Sequence, residues 1–84
     1  MNEVEIYTKD NCPFCHRAKA LLTLRGIPYT EIDVGQDADK LAEMLVRSQR
    51  RSVPQIFIDD RHIGGSDELH ALDAAGKLDP LLEA

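Results

Sequence analysis

The chain has 84 residues, with 15 acidic and 10 basic side chains and a net charge of −5. This length predicts one domain over residues 1–84, and 43% hydrophobic residues is typical of a folded globular protein rather than a disordered one. The acidic balance argues against nucleic acid as a partner. We see no secretory signal and no apolar run near the roughly 20 residues that span a bilayer, so we expect a cytoplasmic protein without a membrane partner.

The first three predicted elements are a strand, a helix and a strand. Apolar residues alternate with polar ones over residues 4–8, which predicts a strand. The spacing of Ala18 and Leu22 predicts a helix that Gly26 ends. Residues 29–34 are rich in β-formers and predict a second strand.

The following residues predict a helix and a hairpin. The apolar face of a helix over residues 37–48 is marked by Ala38, Leu41, Met44 and Leu45. Residues 55–58 predict a third strand, and after a turn residues 62–63 predict its short partner.

The last elements are helical, and together the elements predict an α/β fold. Ser66 or Asp67 is predicted to cap a helix through Ala75, and the apolar tail 78–82 to pack back as a turn or short helix. The β-α-β start predicts two parallel strands with a right-handed crossover, and the hairpin adds antiparallel strands. We therefore expect a mixed sheet of about four strands with helices on its faces.

Cys12 and Cys15 are the candidate catalytic residues. Pro13 suits the first position of a helix, which puts Cys12 at the N-cap, where free N–H groups and the helix dipole favour a thiolate. Thiols in this position reach pKa values of roughly 3.5–7.5, and Lys9 would add to the shift. Because Cys15 lies one turn inside the helix, Cys12 is predicted to attack and Cys15 to resolve the mixed disulfide.

Three alternatives for the cysteine pair are less favoured. A zinc site would need further ligands at suitable spacing, and none follows, so no metal is predicted. Cys12 to His16 matches the pattern of c-type haem attachment, but that chemistry normally follows export. Two inert buried thiols are a third alternative, and Pro13 at the helix start argues against it.

Two further motifs are candidate parts of a binding site. Ser52-Val53-Pro54 precedes a strand; Pro54 either starts that strand or forms a cis peptide that would expose the backbone of Val53. In residues 64–67, the helix N-terminus offers N–H groups to a carboxylate, and Asp67 an acceptor to an ammonium group. A plain turn and helix cap is the alternative for this segment.

Together these motifs resemble the glutaredoxin family, most closely its short bacterial dithiol members. The matching stretches are Ile6-Tyr7-Thr8-Lys9, Cys12-Pro13-Phe14-Cys15, Ser52-Val53-Pro54 and Gly64-Gly65-Ser66-Asp67. The resemblance implies a thioredoxin-like fold, with a mixed four-stranded sheet flanked by three or four helices. It also implies glutathione as co-substrate and no bound cofactor.

The resemblance also implies roles by position. Val53 would pair through its backbone with the cysteine of glutathione, before a cis Pro54. Lys9 would meet the glycine carboxylate, and Ser66 and Asp67 would hold the γ-glutamyl end. The implied glutathione-binding residues are Lys9, Cys12, Phe14, Arg50, Ser52, Val53, Pro54, Gly65, Ser66 and Asp67. Leu41 stands where many relatives carry a glutamine or arginine, so Lys40, Arg50 and Arg51 are candidates for a second contact with that carboxylate.

The implied activity is the glutathione-dependent reduction of protein–glutathione mixed disulfides and of protein disulfides. The expected partners are glutathione and such proteins, with ribonucleotide reductase as one candidate, and the expected state is a monomer. The main alternative is an iron–sulfur carrier in which Cys12 and glutathione hold the cluster in a dimer. A reductase that ignores glutathione and a pure binding module are further alternatives.

Overall fold

The computed structural model describes residues 2–83. Its elements in chain order are β1 (Val4–Thr8), α1 (Pro13–Leu24), β2 (Thr30–Asp33), α2 (Ala38–Ser48), β3 (Gln55–Ile58), β4 (Arg61–Gly64), α3 (Ser66–Ala74) and α4 (Leu78–Glu83). The predicted order of strands and helices is confirmed, and the apolar tail forms a helix. Within residues 2–83, no helix combines the length and the apolar character needed to cross a membrane.

The four strands form one mixed sheet in the order β2-β1-β3-β4. β1 runs parallel to β2 and antiparallel to β3, and β4 runs antiparallel to β3. The predicted α/β class with a mixed four-stranded sheet is therefore confirmed. Because Tyr7 pairs with Gln55, the end of β1 lies beside the start of β3. This pairing brings the segment that holds Cys12 close to the loop that ends at Pro54.

Helices cover both faces of the sheet, so its central strands are buried on both sides. On one face, the core contains residues of β1, β3, α1, α3 and α4, among them Ile6, Leu22 and Leu69. On the other face, Tyr7 and Phe57 pack with residues that include Met44 of α2.

The buried face of α2 matches the predicted one only in part. Met44 is buried and Leu45 packs against the same core, as predicted. Ala38 and Leu41 are exposed, contrary to the prediction, and Arg47 contacts the sheet beside Met44. The guanidinium of Arg47 lies 4.0 Å from the centroid of the Phe57 ring. An arginine thus fills a position that hydrophobic periodicity assigns to the polar face, because its planar group stacks on an aromatic ring.

Candidate active site

Cys12 lies where the chain turns from β1 into α1. Asn11 has a left-handed backbone (φ 56°), which asparagine tolerates better than most residues. Cys12 is then the extended N-cap of α1, and Pro13 is in the first turn. The backbone N–H of Cys15 donates to the Cys12 sulfur, with a nitrogen–sulfur distance of 3.1 Å. The predicted placement of Cys12 at the helix N-terminus is confirmed.

The two cysteines are joined in a disulfide and differ in their surroundings. Cys15 is 1% exposed and lies in the core side of α1, whereas Cys12 is 7% exposed. The sulfur of Cys12 lies 3.7 Å from the carbonyl oxygen of Val53. An incoming thiolate therefore meets the sulfur of Cys12 before that of Cys15.

The loop before β3 forms the wall opposite Cys12. The peptide bond between Val53 and Pro54 is cis, as the family resemblance implied. The side-chain amide of Gln55 donates to the Ser52 carbonyl oxygen at 2.9 Å and approaches the Ser52 hydroxyl oxygen at 3.2 Å. The loop is thus held from behind by a buried side chain, with Val53 facing the cysteines.

A groove of about 200 Å³ lies beside Val53, whose carbonyl oxygen is 3.7 Å from the Cys12 sulfur. Its lining residues are Phe14, Arg50, Ser52, Val53, Pro54, Gly65, Ser66, Asp67 and Glu68. All but Glu68 are residues that the resemblance placed in a glutathione site. A larger cavity of about 560 Å³ lies between β4 and α3, away from the cysteines. The groove is the better candidate because Val53, which contacts the Cys12 sulfur, forms part of its wall.

Lys9 does not line this groove. It is exposed at the end of β1, and a Cβ placed on Gly35 would lie 3.2 Å from the Cβ of Lys9. Its stem therefore runs beside the loop after β2. The contact between Lys9 and a ligand carboxylate stays a prediction.

Glu68 is the groove residue that sequence reasoning missed. The helix α3 is capped by Gly65, not by Ser66 or Asp67 as expected. The Glu68 carboxylate accepts the Gly65 N–H at 2.8 Å and an Arg50 N–H at 3.1 Å. These bonds, that from Gly65 first, lower the pKa of Glu68. The available signal was the spacing, since a glutamate three residues after an N-cap commonly reaches back to it.

Ser66 and Asp67 differ in what they offer to a ligand. Ser66 is 3% exposed, and its hydroxyl oxygen lies 3.3 Å from the Nδ1 of His70 on the next turn. Asp67 is exposed in the first turn of α3. The carboxylate of Asp67 is therefore the more accessible polar group of this pair.

Known proteins are similar to this chain over nearly its whole length. The glutaredoxin family model matches residues 4–63. Glutaredoxin 3 of Escherichia coli K12 is 59% identical over 83 residues, which cover 99% of this chain and all of that protein. The solution structure of glutaredoxin from Brucella melitensis is 51% identical with a TM-score of 0.85, covering 98% of this chain and 89% of that one. The buckwheat glutaredoxin–glutathione complex is 34% identical with a TM-score of 0.87, covering 98% of this chain and 77% of that one.

A thioredoxin-like fold with a Cys-X-X-Cys pair at the start of its first helix defines a thiol–disulfide oxidoreductase. The family model and the bacterial relative, which match most of this chain, assign it to one family within this class of oxidoreductases. The chain belongs to the glutaredoxin family, whose activity is glutathione-dependent thiol–disulfide exchange. The resemblance found in the sequence is thereby confirmed.

Proposed function

We propose that the chain reduces protein–glutathione mixed disulfides with Cys12 alone, and protein disulfides with Cys12 and Cys15 together. The observation that carries the proposal is the position of the Cys12 sulfur. It accepts a backbone N–H at the N-terminus of α1, and it lies 3.7 Å from the carbonyl of Val53, which lines the groove. A thiolate is stabilised there, and a small ligand can lie beside it.

The first reaction needs one enzyme thiol. The Cys12 thiolate attacks the glutathione sulfur of a mixed disulfide, so a Cys12–glutathione bond forms while the old disulfide breaks. The target protein leaves as a thiolate and takes a proton from water. A second glutathione thiolate then attacks the bound glutathione sulfur, which yields glutathione disulfide and restores the Cys12 thiolate. A thiol with a lowered pKa is also the better leaving group in this step.

The second reaction needs both thiols. Cys12 attacks a protein disulfide and forms a mixed disulfide with the target. Cys15 then attacks Cys12, releases the reduced target and leaves the Cys12–Cys15 disulfide that the structure contains. Two glutathione molecules reduce this bond. Because glutaredoxin couples lie near the potential of the glutathione pool, both directions are feasible.

The groove suggests how glutathione is held. The backbone of Val53 pairs with the cysteine of the tripeptide, and Asp67 accepts from its α-ammonium group. The fold shared with the buckwheat glutathione complex supports this placement. Arg50 already pairs with Glu68, so Lys9 is the better candidate for the glycine carboxylate. We extend the proposal to a cytoplasmic monomer acting on glutathionylated or disulfide-containing proteins, with ribonucleotide reductase as one candidate target.

The iron–sulfur alternative is not favoured. Cys12 forms a disulfide with Cys15. Cys15 therefore competes with an iron–sulfur cluster for the sulfur of Cys12. An anaerobic absorption spectrum of protein purified with glutathione tests this alternative directly.

The proposal is tested with two single-cysteine variants. Cys15→Ser should keep turnover of a glutathionylated peptide and lose reduction of a protein disulfide, whereas Cys12→Ser should lower both by at least about 10³-fold because the nucleophile is gone. In Cys15→Ser, iodoacetamide should label Cys12 with a pH midpoint well below the roughly 8.5 of free cysteine.

The first activity is measured with a glutathione-linked peptide and the second with a disulfide-bonded protein. Loss of both activities in Cys15→Ser would refute the division of roles. A Cys12 thiol that titrates like free cysteine, together with no turnover of the peptide, would refute the proposal as a whole.

A further inference from the structure

Gln55 is a buried polar residue directly behind the groove. It is 0% exposed at the start of β3, and its amide donates to the carbonyl of Ser52. Its other end lies 2.7 Å from the Nε2 of His62 on β4. A continuous chain of hydrogen bonds thus connects the strand β4 with the loop that presents Val53. Neither Gln55 nor His62 lines the groove itself.

The chemistry of the partners determines the direction of these bonds. A carbonyl oxygen only accepts, so the nitrogen of the Gln55 amide faces Ser52 and its oxygen faces His62. His62 must then carry a proton on Nε2. Burial first, and then the charge of Arg50, lower the pKa of His62. The neutral ring with its hydrogen on Nε2 is therefore the form that donates to Gln55.

The His62 ring is itself held in place. It packs against the ring of Phe57, its partner in the β3–β4 ladder, with centroids 4.9 Å apart. Phe57 is covered on the sheet by the guanidinium of Arg47. The ring of His62, which donates to Gln55, is thus packed against the core. This packing restricts the motion of Gln55 and, through its bond to Ser52, that of the loop before β3.

We propose that Gln55, oriented by His62, is a positioning residue for glutathione, and this inference rests on the proposed function. By holding the carbonyl and hydroxyl of Ser52, Gln55 keeps the backbone of Val53 at the angle that pairs with the tripeptide. Without it, the loop samples other angles and the ligand must order the loop on binding. Cys12 keeps its own N–H donor from α1, the contact that stabilises its thiolate, so its intrinsic reactivity should depend little on this chain of bonds.

Kinetics of four variants test the inference. Gln55→Leu removes both bonds at similar size, and Gln55→Glu sets a carboxylate against the Ser52 carbonyl. Both should raise the KM for a glutathionylated peptide about tenfold, as expected for the loss of a buried hydrogen bond, with kcat nearly unchanged. His62→Phe keeps the ring on Phe57 and removes the donor, so it should raise the KM too. His62→Gln, the matched control, returns an N–H donor near the former Nε2 and should restore the KM.

The rate of iodoacetamide labelling of Cys12, measured on the same proteins, separates positioning from a general structural effect. The inference requires the labelling rate to stay within about twofold of the wild-type rate while the KM rises about tenfold. It is overturned if the Gln55 variants keep the wild-type KM, if labelling slows in parallel, or if the two His62 variants behave alike. If a Gln55 variant does not fold, the His62 pair still decides. If wild-type protein itself does not turn over the peptide, the proposed function fails instead.

Discussion

Two neighbouring acidic residues of the groove have opposite relations to an anionic tripeptide. Asp67 is exposed, and in the proposed site its carboxylate would accept from the ligand's ammonium group. Glu68 instead forms a 3.1 Å ion pair with Arg50 and accepts the Gly65 N–H. Glu68 therefore competes with any ligand carboxylate for the arginine. A single unit of negative charge should thus help binding at one position and hinder it at the next.

Substituting each carboxylate by its amide tests this contrast. Glu68→Gln keeps an acceptor for the Gly65 N–H but releases Arg50, so the KM for glutathione should fall by roughly two- to fivefold, the range of an exposed ion pair. Asp67→Asn should raise the same KM. Steady-state kinetics at low and high salt measure both, and added salt should shrink both effects. A rise in KM for Glu68→Gln would show that Arg50 needs Glu68 to hold it in place.

The helix α2 is attached to the sheet through a mixed polar contact. Its Arg47 donates to the Tyr7 hydroxyl at 2.7 Å and to the Glu5 carboxylate at 3.1 Å. The Tyr7 hydroxyl in turn donates to Glu43, and burial followed by this bond raises the pKa of Tyr7. Because few apolar side chains of α2 are buried, this network carries much of its attachment.

Arg47→Met tests how much the network contributes. The substitution keeps a long side chain over the Phe57 ring but leaves the buried Tyr7 hydroxyl without one partner. The free energy of unfolding should fall by roughly 1–3 kcal/mol, measured by urea denaturation. Arg51→Met is the matched control, because Arg51 is exposed and such changes usually stay within about 0.5 kcal/mol. Equal losses in the two variants would contradict the assigned role of Arg47.

Local signals in the sequence predicted most elements, and tertiary contacts explain the exceptions. Pro13 marked the start of α1, and Gly26, which adopts a left-handed φ of 68° after that helix, marked its end. Both signals depend on backbone chemistry within a few residues. The face of α2 was predicted correctly at Met44 and wrongly at Leu41, which periodicity assigns to the core. The contact that periodicity does not indicate is that of Arg47 with an aromatic ring from another strand.

The same division applies to the site. Cys12 and the loop before Pro54 were predictable, because a short motif carries each of them. The ion pair of Arg50 with Glu68 was not predictable. It depends on Gly65 being the N-cap of α3, whereas the sequence predicted Ser66 or Asp67 in that role. The contact of Gln55 with His62 joins two strands through side chains, and no local pattern indicates it. Sequence reasoning thus located the groove but not the residues that hold its walls.

The stability of the whole molecule should depend on pH in two stages. Three glutamates have pKa values below their ordinary range. For Glu31 the main causes are bonds from Lys19 and then Thr8, and for Glu43 the bond from Tyr7, both from other elements. For Glu68 the main cause is the Gly65 N–H at the start of its own helix, followed by Arg50. Each favours the folded state fully above its unfolded pKa of about 4.5 and loses this contribution as pH falls through its lower folded pKa. His62 is half-buried, and its pKa is lowered, first by this burial, so it follows the same rule from about 6.5 downward.

The upper stage can be isolated with His62→Gln. As pH falls below about 6.5, the unfolded chain takes up a proton at His62 before the folded protein does, so the free energy of unfolding must fall. The variant has no imidazole at this position, yet it retains a donor for Gln55. Urea denaturation at pH 7.5, 6.5 and 5.5, conditions chosen to bracket roughly the histidine range, should show a smaller decline for His62→Gln than for wild type. Below about pH 4.5 both proteins should decline together as the glutamates take up protons. Parallel curves over the upper range would mean that His62 is protonated as readily in the folded protein as in the unfolded chain, and the neutral donor to Gln55 would then be the wrong description of this ring.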